Sequence, residues 1–190
     1  MTGETLTGRL RAGPWDPKAE VMTDTGNKGD DNQHGDLIRL PTPWARAIDE
    51  LTEAGTYWLG TVTPYGRPHV VPVLGVVVDE YVHFAAGRGT RKAINLMASP
   101  WCSITTSAAT MDLVIEGTAT PVDTSSEVDE VARRYRGKYG WDPDVLDALL
   151  WGEGAPTAGP APYDVYRVIP SKVFGLPTDD TDAVPTRWRF

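Results

Sequence analysis

The stretch of residues 81–95 constrains the fold of this chain more than any other part of its sequence. Its first half, 81–86, is a short apolar run of the kind that forms a strand, and Gly87 and Gly89 mark a turn after it. Thr90 follows, and threonine is one of the residue types that cap helix N-termini. The sequence therefore predicts a strand that turns directly into a helix.

Two cations open this predicted helix. Arg91 and Lys92 stand where the free backbone N–H groups and the helix dipole are already positive, so they lower stability slightly unless an anion binds. A bound anion would accept hydrogen bonds from the backbone, from Thr90 and from both cations, each charged bond contributing about 1.5–3 kcal/mol. The pattern favours a phosphate-binding turn; an exposed basic turn that only caps a surface helix is the alternative.

Composition restricts the other possible functions. The chain has 190 residues with a formal net charge of -8, and no long Lys/Arg run offsets that charge, which argues against a nucleic-acid partner. Its single cysteine, Cys102, excludes an internal disulfide, and three scattered histidines predict no metal site. We find no apolar leader and no run long enough to span a bilayer, so we expect a cytoplasmic protein with no membrane partner.

The sequence divides into two regions of different composition. Residues 1–40 are rich in Gly, Asp, Thr, Asn and Pro without an apolar period, which predicts an irregular arm, held in place by a partner subunit. Residues 41–190 form the second region, which we expect to be one domain. It begins with an amphipathic helix that has Pro43 in its first turn and ends at Gly55.

From residue 56 the apolar period changes from helical to alternating. Residues 56–63 and 68–78 predict two strands joined by a tight turn, and Pro72 and Gly75 mark a bend or an edge in the second. Further strands are predicted over 81–86, 101–107, 111–122, 163–170 and 172–176. Helices are predicted over 90–98, 125–139 and 144–150. Residues 152–162 are predicted to form a lid or a solvated link. These hairpins predict a mainly β fold, an antiparallel β-barrel with flanking helices.

The order of these elements resembles the FMN-binding split β-barrels, the pyridoxamine 5'-phosphate oxidase-like proteins. The likeness runs from about Trp44 to the C-terminus and is carried by four segments: Gly66-Arg67-Pro68-His69-Val70-Val71-Pro72-Val73, Thr90-Arg91-Lys92-Ala93-Ile94-Asn95-Leu96, Val173-Phe174-Gly175-Leu176-Pro177 and Thr186-Arg187-Trp188-Arg189-Phe190. The chain is especially similar to the flavin/deazaflavin oxidoreductase branch, which uses FMN or the deazaflavin coenzyme F-420. The resemblance implies a split barrel of six to seven antiparallel strands that functions as a homodimer.

The resemblance also implies which residues bind the cofactor. Its phosphate would be bound by Thr90, Arg91 and Lys92, with Asn95 shaping that end of the site. The ring would lie along Val70, Val71, Pro72 and Val73. Ala85 and Ala86 would contact the ribityl chain or the ring edge. Trp188 and Arg189 would close the site from the second subunit. One departure is Pro72, which occupies the region where the oxidase proper carries a phosphate-binding lysine; this favours a generic reductase over oxidation of pyridoxamine phosphate.

The implied activity is hydride transfer between F-420 or FMN and a small organic acceptor. Because the cofactor supplies this chemistry, no catalytic side chain needs to be visible, and none can be assigned. A protein that sequesters or carries a flavin or haem without turnover is the alternative, and a dimeric scaffold with an empty barrel is a third possibility. The Gly/Ala/Pro-rich loop and the arm would shape the substrate pocket.

The choice between FMN and F-420 depends on a second basic surface. F-420 carries an oligoglutamate tail, and four cations of the helix predicted over 125–139 are available to bind it: Arg133, Arg134, Arg136 and Lys138. A solvated helix face balanced by Glu127, Asp129 and Glu130 is the simpler interpretation. Both interpretations remain open at this point.

Overall fold

The computed structural model describes residues 15–22, 40–155, 157–178 and 183–190. In these residues three helices are defined, α1 Trp44–Glu53, α2 Arg91–Ala98 and α3 Ser125–Tyr139. The strands are β1 Lys18–Val21, β2 Tyr57–Val62, β3 Pro68–Val73, β4 Gly75–Val78, β5 Tyr81–Gly87, β6 Trp101–Ser107, β7 Met111–Pro121, β8 Asp144–Leu146, β9 Leu149–Trp151, β10 Tyr163–Pro177 and β11 Thr186–Arg189.

These strands form one antiparallel sheet that is split at one place. The main path runs β1-β11-β10-β7-β6-β2-β3, and the long β10 also pairs with β5, which in turn pairs with β4. Although β3 and β4 are consecutive in the chain, β3 pairs with β2 and β4 with β5, with only Leu74 between them. The barrel is therefore open between these two strands, and the predicted split-barrel fold is confirmed.

Alternation along the strands separates a core from an outer face, as in β2. Tyr57, Leu59 and Thr61 are buried, whereas Trp58 and Val62 point outward and are exposed, as the sequence predicted. The inward side chains pack with α1 and α2 into one core, and a second core forms beneath α3. Each large apolar side chain fully buried in this way stabilises the fold by about 1.5–3 kcal/mol.

The fold class is as predicted, but two local predictions are corrected. Residues 144–150 do not form a helix; they form the hairpin of β8 and β9, because Asp147 and Ala148 adopt left-handed turn conformations with φ of 53° and 57°. The two strands predicted over 163–170 and 172–176 are one strand, β10, with a register shift between Pro170 and Lys172. The described residues hold eleven strands rather than six or seven, since several short pairings leave no clear sequence pattern.

The predicted arm is only partly within the described residues. Lys18–Val21 is not irregular, because it pairs along β11 from Lys18 opposite Arg189 to Val21 opposite Thr186. Residues 1–14 and 23–39 lie outside the described residues, so the irregular arm stays a prediction there. Among the helices that the structure describes, none has the length and apolar character needed to cross a membrane.

Candidate functional site

The turn between β5 and α2 has the predicted capped geometry. Thr90 is the N-cap residue of α2, with an extended backbone (φ -76°, ψ 152°), and its hydroxyl oxygen accepts a hydrogen bond from the Ala93 N–H at 3.4 Å. The same hydroxyl donates to the Gly87 carbonyl at 2.7 Å. The backbone N–H groups of Arg91 and Lys92 have no carbonyl partner inside the helix, so they remain available to an anion.

The two cations of this turn lie in different environments. The Lys92 side chain is buried, with the residue only 3% exposed, and its ammonium donates to the backbone carbonyl of Thr157. Burial lowers the pKa of Lys92 below its ordinary value. Arg91 is exposed, and no carboxylate of the described residues forms an ion pair with it. A phosphate would therefore meet one buried and one solvent-facing cation.

The loop after β9 packs directly on this turn. The Gly87 N–H donates to the Ala158 carbonyl at 2.6 Å, and a Cβ on Gly87 would lie 2.7 Å from the Pro160 carbonyl oxygen. A Cβ on Gly159 would lie 2.7 Å from the Thr90 side-chain methyl. Only glycines allow this approach, and as a result the loop covers the end of the turn. The Lys92 ammonium has three donors, so an anion can bind it beside the loop carbonyl.

Asn95 connects α2 to the sheet. It is fully buried, and its amide nitrogen donates to the Thr61 hydroxyl at 3.0 Å, while that hydroxyl lies 3.4 Å from the His69 carbonyl oxygen on β3. The carbonyl oxygen of the Asn95 side chain is buried without a hydrogen-bond partner. An unsatisfied buried acceptor costs about 1–3 kcal/mol, so this oxygen is suited to receive a donor from a bound molecule.

The strand that the resemblance places along the cofactor ring is β3. Val70 is 60% exposed, Val71 and Pro72 are half-buried, and Val73 is buried. In the described residues β3 pairs only with β2, so its other edge presents backbone N–H and C=O groups without a strand partner. Pro72 has no N–H, so it contributes no backbone donor to β3.

Ala85 and Ala86 do not line an open site. They point to opposite faces of β5, because successive side chains alternate along a strand. Ala85 is 7% exposed and packs in the core under α3, and Ala86 is fully buried in the main core. Both methyl groups are enclosed by protein, so the expected contact of these two residues with the ribityl chain or ring edge would have to come from their backbone atoms and stays a prediction.

Trp188 and Arg189 also lie in different environments. Trp188 is fully buried, its indole N–H donates to the Thr42 carbonyl at 3.1 Å, and its ring packs edge-on against Trp44. The expectation that Trp188 closes a site from a second subunit is wrong for this conformation, because its indole is part of the chain's own core. Arg189 is exposed on the outer face, 3.8 Å from the Glu20 carboxylate.

Sequence reasoning did not single out an apolar patch on the outer face of the sheet. It consists of Trp58 and Val62 on β2, Val70 on β3 and Trp101 on β6, which are 46–62% exposed. Strand register places these side chains on one face. Gly60 lies between Trp58 and Val62 on the outward side of β2, opposite Val70 of β3 and opposite Ser103 of β6, which is two positions from Trp101. The patch borders the free edge of β3. The sequence did contain an indication of this patch, because Trp58 and Val62 occupy the alternating positions of β2 that point away from the core.

A cluster of the buried His83 with the partly exposed Glu127 and Arg167 also lies beneath α3. The Nε2 atom of His83 is 2.8 Å from the Glu127 carboxylate, which Arg167 contacts at 3.3 Å, and His83 Nδ1 lies 3.1 Å from the Tyr81 carbonyl. Burial lowers the pKa of His83, and the hydrogen bond to Glu127 opposes that effect. His83 is therefore a histidine packed within the sheet. The cluster joins α3 to β5 and β10.

The arginines of α3 already have acidic partners. Arg133 and Arg134 both pair with Glu130, and Arg136 pairs with Asp142. This supports the simpler interpretation of a balanced, solvated helix face; Glu130 is one of the three acids expected, whereas Asp142 was not expected. Glu127, which was expected to balance the helix, is used instead by the cluster beneath α3.

Residues 45–176 match the protein-family model described as pyridoxamine 5'-phosphate oxidase, which is more than half of the chain. The chain belongs to this family. A search of curated protein sequences finds no match.

Solved structures of similar fold agree with this membership. A conserved hypothetical protein from Mycobacterium tuberculosis matches with a TM-score of 0.58 and 18% identity, covering 74% of this chain and 88% of that one. The heme binding protein from Mycobacterium smegmatis matches with a TM-score of 0.55 and 13% identity, covering 72% and 55%. General Stress Protein 26 from Bacillus anthracis matches with a TM-score of 0.52 and 14% identity, covering 70% and 92%. Identities this low show the fold alone.

Proposed function

We propose that this protein is an oxidoreductase that transfers hydride between FMN or F-420 and a small organic acceptor. Membership of the pyridoxamine 5'-phosphate oxidase family supports the flavin class of cofactor, since the family typically binds FMN. The observation that carries the proposal is the capped turn at Thr90, connected through Asn95 and Thr61 to the free edge of β3. Anion-binding and ring-binding groups thus belong to one connected part of the fold.

The turn supplies the donors that a cofactor phosphate needs. Free N–H groups at the start of α2 and the Lys92 ammonium are hydrogen-bond donors, and the exposed Arg91 adds charge. The Thr90 hydroxyl would join them only by giving up its hydrogen bond to the Gly87 carbonyl. Because Lys92 is buried, its bond to an anion is screened little by water. The donor set therefore fits a nucleotide-like phosphate.

The edge of β3 supplies the groups that a planar ring with amide-like edges needs. The backbone around Val71 and Val73 offers both donors and acceptors along a straight edge, while the exposed Val70 side chain offers an apolar surface. The unpartnered oxygen of Asn95 is a further acceptor close to β2 and β3. These groups would orient the ring and hold its polar edge.

When bound, a flavin or deazaflavin supplies the hydride chemistry itself. The residues of this chain position it: the α2 turn binds its anionic end, β3 aligns its ring, and the loop over Gly87 limits the access of water to Lys92. No side chain of the described residues is assigned as a proton donor.

The proposal is tested by titrating the purified protein with FMN and, separately, with F-420, following cofactor fluorescence. We expect Lys92→Ala to weaken binding of the preferred cofactor by about 10- to 100-fold, the loss of one charged hydrogen bond. Lys172→Ala is the matched control, because this lysine is bonded to Glu116 on the outer face. Unchanged affinity of Lys92→Ala, with its fold intact, would contradict the phosphate-binding turn.

Turnover separates the enzyme from a carrier. We expect the reduced cofactor, once bound, to be reoxidised by added quinones, enones or biliverdin-like acceptors faster than in free solution. Tight binding of a flavin or haem without such reoxidation would instead support the sequestering function. Mass spectrometry of the molecule that co-purifies identifies which cofactor the protein carries.

We also propose that the protein is a homodimer that buries the outer-face patch. Contiguous apolar patches of this kind are uncommon on monomers, and this one borders the edge of β3 where the second subunit would complete the site. We expect Trp101→Glu to produce a monomer in light-scattering chromatography. Tyr65→Glu is the control, since Tyr65 is exposed at the tip of the β2–β3 hairpin. A wild-type protein that elutes as a monomer would contradict the proposal.

A further inference from the structure

A cavity of about 690 Å³ lies between the end of α1, β4 and the last turns of α3. Val76 and Val77 of β4 line one side of it, although both side chains are buried, Val76 in the core beneath α3 and Val77 in the main core. Its polar side includes Glu53, Lys138 and Tyr139. None of the residues assigned above to the flavin site lines this cavity.

Lys138 has few partners for a half-buried ammonium. Its Nζ donates to the Tyr57 hydroxyl at 3.1 Å and lies 4.9 Å from the centre of the Tyr57 ring and 5.4 Å from that of Tyr139. No carboxylate of the described residues lies within ion-pair distance of it. An ammonium has three donors, so two remain without a bonded partner beside the cavity.

The other cations of α3 differ from Lys138 in this respect. Arg133 and Arg134 also line the cavity, but Glu130 compensates both, and Arg136 is paired with Asp142 away from it. Among these four cations, Lys138 alone has no ion-paired carboxylate in the described residues; the Glu53 carboxylate acts on its charge from beyond ion-pair distance. A lysine near a helix C-terminus is ordinary when solvated, because the dipole favours it there. Partial burial without a carboxylate is not explained by the dipole.

The walls of the cavity are held rigidly. The Tyr139 hydroxyl lies 2.8 Å from the Gly75 carbonyl and 3.2 Å from the Gly55 carbonyl, so it bridges the end of α1 and the start of β4. The Tyr57 ring is fully buried, and its hydroxyl donates to the Leu51 carbonyl. A ligand would enter a preformed space rather than create one.

We propose that this cavity binds the carboxylate of a small organic acid with an aromatic or branched apolar body, and that Lys138 is its anchor. The ammonium donors that no described residue accepts match a carboxylate, and the Tyr139 ring matches the apolar body. Glu53 favours a singly charged acid, because it repels dianions such as phosphate. This inference does not depend on the proposed flavin chemistry.

The test is calorimetric titration of the full-length protein with benzoate and with inorganic phosphate near neutral pH. We expect benzoate to bind, and phosphate to bind at least about tenfold more weakly. Lys138→Met should raise the Kd for benzoate by about tenfold or more, because one charge-assisted hydrogen bond is lost. Arg136→Gln is the matched control from the same helix, and it should leave the Kd unchanged.

Two further measurements keep the proposal testable if Lys138→Met does not fold. Lys138→Arg keeps the positive charge and should retain benzoate binding within a few-fold. In the wild-type protein, benzoate should shift the NMR signals of the Val76 and Val77 methyl groups. No binding of benzoate, equal affinity of Lys138→Met, a preference for phosphate, or unshifted valine methyls would each overturn the proposal. The FMN titration tests the flavin proposal separately.

Discussion

Lys92 and Lys138 are both withdrawn from water, but they occupy opposite ends of their helices. Lys92 is in the first turn of α2, where the helix dipole opposes a cation, and it is held by the Thr157 carbonyl. Lys138 is in the last turn of α3, where the dipole favours a cation, and it is held by a phenol and two aromatic faces. Burial lowers the pKa of both.

The difference shows two separate ways in which a buried cation points to a ligand. For Lys92 the position along the helix is the signal, because an anion would offset the unfavourable dipole. For Lys138 the helix position is ordinary, and the signal is that no carboxylate of the described residues, Glu53 included, lies within ion-pair distance, which only the folded structure reveals. Close packing near each lysine depends on a glycine, Gly75 near Lys138 and Gly87 near Lys92. Substitutions of these two glycines provide the strongest tests of the comparison.

The largest effect we expect is from Gly75→Ala, in the wall beside Lys138. The new Cβ would lie 2.5–2.8 Å from three atoms of the Tyr57 ring, which is fully buried and cannot move aside. Overpacking of this kind should lower the free energy of unfolding by about 1–3 kcal/mol, measured by urea unfolding. Gly55→Ala is the control, because no atom lies within 4 Å of its Cβ. Equal stability of the two variants would show that the Tyr57 ring can move to accommodate the new methyl group.

A smaller effect is expected from Gly87→Ala, in the wall beside Lys92. Its Cβ would lie 2.7 Å from the Pro160 carbonyl oxygen and 2.9 Å from that of Ala158. Since these atoms belong to a loop rather than to the core, the loop can move, and we expect a loss of about 1 kcal/mol. The displaced loop should also be cleaved faster by a nonspecific protease. Gly89→Ala, with no atom within 4 Å, should behave like wild type.

Thr90→Ala tests the cap that orients the Lys92 turn. The capping hydrogen bond to Ala93 is long, at 3.4 Å, so we expect a loss toward the low end of the usual range, about 0.5–1 kcal/mol. Thr90→Ser keeps the hydroxyl and should recover most of that stability in the same urea titration. If Thr90→Ser is as unstable as Thr90→Ala, the methyl group against Gly159 stabilises the turn and the hydroxyl does not.

Local patterns made much of the fold predictable. The alternation in β2, the capped start of α2 and the bounds of α3 follow from periods and turn residues within a few positions of each other. The prediction failed at 144–150, where an apolar run without a clear period formed a hairpin. It also failed at Lys18–Val21, whose pairing with β11 lies far along the chain.

The candidate site was less predictable, because its side chains are arranged by distant contacts. The carbonyl that holds Lys92 is 65 positions away in sequence, and the one that holds Trp188 is 146 positions away. Nothing near Trp188 in the sequence distinguishes a core tryptophan from one at a subunit interface. The residue types for anion binding were visible in the sequence, whereas their burial was not.

The smallest effect we expect concerns the pH dependence of stability near Lys138. Burial lowers the pKa of its ammonium from 10.5 to about 8. Between these values the unfolded chain holds a proton that the folded protein has released, so this lysine makes the free energy of unfolding rise with pH. Lys138→Met lacks that contribution, and the stability of wild type relative to the variant should therefore increase from about pH 8 to about pH 9.5 in urea titrations.

Burial raises the pKa of Cys102 to about 12, which acts in the opposite direction, but it does so equally in both proteins and cancels in the difference. Lys138→Arg, which cannot release its proton in this range, should resemble the methionine variant in slope. A difference that stays constant with pH would show that the Lys138 ammonium is solvated, and the contrast with Lys92 would then lose its basis.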